Sequence, residues 1–280
     1  MSASKLHQTD RIGFSTGALE RGNFFSAVKW MQREHIKSIE LSALRMEELK
    51  PLVDSLDSLP TNQFQYVSFH APSSFPKESE RHVVQLLKQV AKHGWNIIVH
   101  PDVIRRPALW RQFGKQLLIE NMDRRKSVGR TVGELDGIFK KLPEARLCLD
   151  VAHARQLDTT LTLLSQIIGH FAEQIAEIHI SELDSFCQHK PMSSSAVYDY
   201  QKLSKKLNRK LPVIIESVLD ENSDKHRLKV NRLEEFELAF KALNPEAMRP
   251  SYGKNGGCSL AWVKSSYRNG IAKKKTAKRI

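Results

Sequence analysis

The sequence predicts an α/β protein: a closed parallel (β/α)8 barrel of the TIM type followed by a basic C-terminal extension. Three observations carry that expectation. Eight short apolar runs recur at intervals of about 20 to 40 residues, enough for a strand, a loop and a helix. The runs are nearly continuous in apolar residues, as in parallel strands covered on both faces. Most of the segments between them repeat apolar residues at helical spacing. A doubly wound open sheet is the alternative, but Gly13-Phe14-Ser15-Thr16-Gly17 is a poor glycine-rich first turn for a nucleotide. At 280 residues the chain is within the range of one barrel.

In order, the expected strands are Ile12 to Phe14, Ser38 to Leu41, Tyr66 to His70, Ile97 to His100, Leu117 to Glu120, Leu147 to Asp150, Ala176 to Ile180 and Val213 to Glu216. Between them, Phe24 to His35 sets Phe25, Val28, Trp30 and Met31 on overlapping helical turns. His82 to His93 does the same with Val83, Val84, Leu86, Leu87 and Val90. Thr131-Val132-Gly133-Glu134 has capping-box spacing and opens a helix that ends before Pro143. Leu161 to Phe171 and Leu233 to Leu243 repeat the apolar pattern. Pro101 to Lys115 is short, and Pro107 opens a turn or brief helix there. The barrel is expected over residues 1–248 and the extension over 249–280, with Tyr252, Trp262 and Tyr267 as candidates to pack back on the barrel.

Charge is unevenly placed. From Arg249 to Ile280 there are nine Lys or Arg and no acid, so the preceding chain carries only +4 of the +13 net charge. Such a tail can hold nucleic acid through phosphate contacts, or can simply be a solvated end. Three cysteines make no disulfide framework, which points to a reducing compartment. No apolar run approaches the roughly 20 residues that span a bilayer, and the first residues lack an apolar signal core. The expectation is a cytoplasmic protein with no membrane partner.

The chemistry is expected where barrel strands end, at their C-terminal face. Those ends are Thr16, Glu40, His70, His100, Glu120, Asp150, His179 and Glu216, of which all but Thr16 are ionisable. Arg146-Leu147-Cys148-Leu149-Asp150-Val151-Ala152-His153 is the most telling stretch, because a buried strand ending on a carboxylate needs a partner for the charge. Asp150 and His153 set a hard oxygen beside an imidazole. Singly, each strand-end group is more often a hydrogen-bonded structural residue than a ligand. Together, four carboxylates and three imidazoles at one mouth require cations between them. The mixed N/O set suits Zn²⁺, Mn²⁺, Fe²⁺ or Co²⁺ over Ca²⁺.

On Ser68-Phe69-His70-Ala71-Pro72, Val99-His100-Pro101, Ile119-Glu120-Asn121, Leu149-Asp150-Val151-Ala152-His153, Ile178-His179-Ile180-Ser181 and Ile215-Glu216-Ser217, the chain resembles the xylose-isomerase-like barrels, which include endonuclease IV and sugar isomerases and epimerases. The resemblance runs from Ile12 to Glu216 and is specific for the superfamily rather than for a member. It implies that Glu120, Asp150, His179 and Glu216 hold a central divalent metal, with Glu120 and Glu216 exchanging protons with substrate in the epimerases. It implies that His70 and His100 hold another metal with Glu120 bridging, and that His153 and His189 belong to a third. Cys187 stands where endonuclease IV has the Asp of an Asp-x-His pair, so the third site would draw on Cys187, Asp184 or water, or else bind substrate. The epimerases' arginine after the seventh strand has no counterpart in Ser181-Glu182-Leu183-Asp184-Ser185. Glu40, Glu182 and Asp184 are the candidate substrate contacts.

The leading expectation is a multinuclear phosphodiester hydrolase with two or three divalent ions (Zn, Mn or Fe), acting on a phosphorylated substrate or nucleic acid. The alternative is isomerisation or epimerisation of a sugar or sugar phosphate, with one metal, Glu120 and Glu216 as base and acid, and His70 and His100 as substrate contacts. A further alternative within the resemblance is a multinuclear iron oxidase of small peptides, usually working with a partner protein. A non-enzymatic scaffold is disfavoured, because barrel function is read from the site rather than the fold and ligand-type residues stand at so many strand ends.

Overall fold

Isoleucine, valine and leucine fill the strands because these side chains pack well on a pleated surface buried on both sides. A computed structural model describes residues 9–219 and 225–244. The eight expected strands all form, each bounded within one residue of its expected ends. They are β1 (Ile12–Ser15), β2 (Ser38–Ser42), β3 (Tyr66–His70), β4 (Asn96–Val99), β5 (Leu117–Glu120), β6 (Arg146–Asp150) and β7 (Ile175–Ile180). After a small antiparallel hairpin of β8 (Glu182–Leu183) and β9 (His189–Lys190) comes the last barrel strand, β10 (Val213–Ile215). All barrel pairs are parallel, and β10 closes on β1. Gly13 is required at the β1–β2 contact, since a Cβ there would lie 1.8 Å from the Ser38 carbonyl oxygen.

Helices surround the barrel: α1 (Thr16–Glu20), α2 (Phe24–Arg33), α3 (Met46–Asp54), α4 (Glu80–Lys92), α5 (Pro107–Trp110), α6 (Val132–Phe139), α7 (Val151–Leu157), α8 (Thr162–His170), α9 (Ser194–Ser204) and α10 (Lys225–Leu243). Their buried faces, among them Val28, Met31, Leu49, Leu87, Val90, Leu164 and Ile167, join the outward residues of the strands in one core. Burial of each such side chain is worth about 1.5–3 kcal/mol. Four helices escape the periodicity reading: α1 is only five residues long, α3 carries Pro51, α7 is only seven residues long, and α9 opens on serines after the N-cap Ser193. α10 begins at Lys225, well before the expected Leu233. The expected capping box at α6 forms by half. Thr131 accepts from the Glu134 N–H, but the Glu134 carboxylate accepts from Arg130 instead of reaching back to Thr131.

The barrel interior is mostly polar. Within it Ile98, Leu118, Cys148 and Ala176 form a small separate apolar cluster. A bulge between β6 and β7 sets what sits above it: Leu147 pairs with Ile175, but Cys148 pairs with Glu177. That one-residue slip brings Asp150 opposite His179, where an unbulged ladder would offer Ile178. The expected barrel boundary at residue 248, the basic extension and Tyr252, Trp262 and Tyr267 lie outside the described residues. Among the described residues no helix is long and apolar enough to cross a membrane.

Candidate metal centre

The C-terminal strand ends open into a cavity of about 610 Å³. His70, His100, Glu120, His153, His189 and Glu216 line it, while Asp150 and His179 lie fully buried beside them. All eight residues expected to hold metal are therefore at one mouth.

Local structure aims each group. Asp150 ends β6 and caps α7: its Oδ1 accepts from the His153 N–H at 2.7 Å, which leaves Oδ2 without a hydrogen-bond partner. The Asn121 side chain clamps the same residue, donating to the Asp150 carbonyl and accepting from its N–H, both at 2.8 Å. Four imidazoles are each anchored through one ring nitrogen. His70 Nδ1 donates to the Ala71 carbonyl and His153 Nδ1 to the Asn121 carbonyl, both at 2.8 Å. His179 Nε2 lies 3.1 Å from both Glu40 Oε2 and Glu177 Oε1. His189 Nδ1 is 2.7 Å from Ser181 Oγ. An anchored imidazole presents its other nitrogen in a fixed tautomer and direction, as a metal ligand requires.

The free atoms meet in overlapping clusters. Glu120, Asp150, His179 and Glu216 offer ligand atoms all within 4.8 Å of one another, as do His70, His100 and Glu120. Glu120 faces both: its Oε2 is 3.3 Å from His70 Nε2 and 3.0 Å from His100 Nε2, and its Oε1 is 3.4 Å from His179 Nδ1. Asp150, His153 and His189 form a third cluster. Asp150 Oδ2, His153 Nε2, His179 Nδ1 and Glu216 Oε2 are all buried without a hydrogen-bond partner. Buried orphans of this kind are costly unless a further group satisfies them. Lone pairs on mixed N/O donors fit divalent transition ions.

Charge within the site is strongly coupled. Burial opposes charge on every imidazole, but at His70 the carboxylates of Glu40 and Glu120 prevail and lift the pKa to about 9. His153 also rises despite burial, through Asp150, Glu120 and Asp123. At His189 burial prevails and takes the pKa down to about 4, and His100 is lowered for the same reason. Glu120 is held well below the usual range against its burial, by His100, His179 and His70. Burial raises Asp150.

The expected substrate contacts sit elsewhere. None of Glu40, Glu182 and Asp184 lines the cavity. Glu40 is wholly buried against His179 and Ser42. Glu182 pairs with Arg155 and accepts from the Ser193 N–H. Asp184 accepts from the Phe186 and Gln188 N–H groups and so shapes the β8–β9 turn. Cys187 does line the cavity, but its thiol accepts from Gln156 Nε2 at 2.9 Å and it joins no ligand cluster. Asp150, rather than Asp184 or the Cys187 thiol, groups with both His153 and His189.

Two carboxylates escape the sequence reading. Glu177 orients His179 from below and is itself held by Ser68 and Tyr66. Asp123, wholly buried, lies 3.8 Å from His153 Nε2 and grips Arg125, which lines the cavity with Lys126. Period-two alternation places Glu177 on the same face as His179, a signal that was there to be used.

No protein-family model matches the chain, and no curated protein matches it in sequence. Solved structures do match in shape. Endonuclease IV from Thermus thermophilus superposes with a TM-score of 0.53 at 18% identity, over 80% of this chain and 99% of that one. The apo form of the 3-keto-D-glucoside 4-epimerase YcjR from E. coli gives 0.52 at 11% identity, over 80% of this chain and 98% of that one. At such identities the likeness is one of fold. The chain is a closed parallel (β/α)8 barrel that shares its fold with these two enzymes.

Proposed function

We propose that this chain is a divalent-metal-dependent enzyme and that its substrate is a phosphodiester, which it hydrolyses. The position of Glu120 supports this most: one carboxylate faces two donor clusters, with Oε2 toward His70 and His100 and Oε1 toward His179. A carboxylate shared in this way suits a pair of ions, and a third cluster adjoins at Asp150, His153 and His189. Divalent ions bound there would supply Lewis-acid chemistry that draws off the charge gathering on a phosphoryl group.

The chain's own groups do the rest. Glu120 holds the two clusters in register, and Asp150, His179 and Glu216 complete the inner one. Arg125 and Lys126 place positive charge on the cavity wall, where a phosphate's remaining charge would lie. Asp123 fixes the Arg125 fork with contacts of 2.9 and 2.6 Å. His100 and His189, kept neutral by burial, have lone pairs to give at neutral pH.

Sugar isomerisation is the second reading, favoured by the quartet Glu120, Asp150, His179 and Glu216 being complete without the outer histidines. The E. coli epimerase of the same fold acts on a 3-keto-glucoside. One experiment separates the two. The full chain, stripped and reloaded with Zn²⁺, Mn²⁺ or Fe²⁺, is given bis-p-nitrophenyl phosphate and an oligonucleotide, and separately a ketose phosphate in deuterated water. Metal-dependent cleavage of the diesters supports hydrolysis. Deuterium entering the sugar with both diesters intact would replace that reading with isomerisation.

A further inference from the structure

We infer that Phe186 is a stacking platform for a nucleobase of the strand whose phosphodiester enters the cavity. The inference rests on the phosphodiester reading for its substrate class, and on separate observations for the site. Phe186 is 77% exposed at the tip of the β8–β9 turn. The two residues after it, Cys187 and Gln188, line the cavity that holds the ligand clusters. A single exposed apolar residue ordinarily needs no explanation. This one is different in how it is held.

The turn that presents it is built to be rigid. The Asp184 carboxylate accepts from the Phe186 N–H at 2.8 Å and the Gln188 N–H at 2.9 Å. The Arg124 guanidinium donates to the Ser185 carbonyl. Cys187 takes a left-handed conformation, φ +61°, and its thiol accepts from Gln156. A non-glycine residue in that region is tolerated where its surroundings fix it. The conformational entropy of the turn is thus already spent, which favours binding through the ring it presents.

The ring is also free. Of the large exposed aromatics, Phe25 stacks on Phe24 with centroids 4.6 Å apart, and Tyr198 carries the Lys202 ammonium 4.4 Å from its centroid. Phe186 has no ring or cation partner among the described residues. The exposed Arg124 reaches the carbonyl of the preceding Ser185, and Arg125 and Lys126 line the cavity together with Cys187 and Gln188. An exposed aromatic ring on a turn held by Arg124, whose next two residues line a cavity shared with Arg125 and Lys126, is a combination that suits single-stranded nucleic acid: stacking for the base, charge for the backbone. The same cations disfavour a basic or apolar protein surface as the occupant.

The test compares full-length wild type with Phe186→Ala and Phe186→Trp, using anisotropy of a labelled single-stranded oligonucleotide with chelator present, so that cleavage plays no part. An abasic oligonucleotide of the same length is the control. Base–aromatic stacking predicts affinity about 5- to 150-fold weaker for Phe186→Ala. It also predicts affinity kept by Phe186→Trp, and no difference between variants on the abasic strand. The ratio of wild type to Phe186→Ala should hold steady as salt rises while both affinities fall, because stacking releases no counterions. Equal affinity of wild type and Phe186→Ala, equal loss on the abasic strand, no oligonucleotide binding at all, or an effect of the variant on self-association alone would each overturn the inference. These outcomes are read without turnover. A protein that binds through Phe186 but cleaves nothing refutes only the hydrolase reading, and one that cleaves with the variant unaffected refutes only the platform.

Discussion

At the scale of the residue, Asp150 shows how one side chain serves fold and site together. Asp-x-x-His reads in the sequence as two ligands side by side; in the fold the same spacing is N-cap geometry, with Oδ1 committed to the His153 N–H and Oδ2 left over. The two roles can be separated. Asparagine caps helices about as well as aspartate, whereas alanine costs about 1 kcal/mol. Asp150→Asn is therefore expected to keep the melting temperature of metal-stripped wild type within a few degrees and to lose metal from the inner cluster. Asp150→Ala should lose both. Thermal melts beside metal analysis check this, and full metal in Asp150→Asn would show that the charge is not needed. The sequence made Glu120, Asp150, His179 and Glu216 legible because acids and imidazoles on apolar strands stand out. It hid Asp123, which sits in Asp123-Arg124-Arg125-Lys126, a run indistinguishable by composition from a solvated loop. Glu40 misled for a related reason: a strand-end carboxylate looks the same whether it faces the cavity or supports His179 from behind.

At the scale of the element, two buried glutamates tie helices to the barrel and respond to pH with opposite sign. Glu80, at the start of α4 and wholly buried, accepts from the Arg105 and Arg106 N–H groups at 2.9 Å and from Trp110 Nε1 at 3.0 Å. Burial raises its pKa, but Trp110 and the arginines outweigh this and lower it. Its contribution is present above the ordinary Glu range and is lost as pH falls through the lowered folded value. Glu80→Ala, which strands those donors, should cost roughly 2–4 kcal/mol in denaturant unfolding at neutral pH. Glu235 on α10 accepts from Ser217 Oγ at 2.6 Å and the Met192 N–H at 3.1 Å, and burial lifts its pKa to about 7. Its contribution is present below the ordinary Glu value and is lost as pH rises through about 7. Glu235→Gln, which stays neutral, should unfold at higher denaturant than wild type at pH above 7 and show no such advantage in mild acid. An unchanged difference across that range would contradict the assignment. Neither tie was legible in the sequence, because each joins residues far apart along the chain. The strands were legible because each carries its own signal, and α7 was not, because seven residues are too few for periodicity.

At the scale of the whole molecule, barrel closure turns eight separate strand ends into one ring. The order of acidic and imidazole ends along the sequence becomes an order around the mouth, so the fold and the candidate ligands could be read together. The bulge that seats Asp150 opposite His179 has no sequence signature and had to be seen. Charge is also a whole-molecule property. With nine of the basic residues beyond residue 248 and no acid among them, deletion of residues 249–280 should flatten the salt dependence of oligonucleotide binding, by about 0.7 in slope for each phosphate contact removed from a single strand. An unchanged slope would assign the contacts to the barrel alone. The account turns finally on cations among buried carboxylates and imidazoles. Its most direct test is the metal content, by inductively coupled plasma mass spectrometry, of untagged full-length protein beside Glu120→Gln. Two or three equivalents in the wild type, with a clear loss in the variant, is the result predicted. A wild type that is metal-free and indifferent to added divalent ions, or a variant that keeps the full complement, would contradict it.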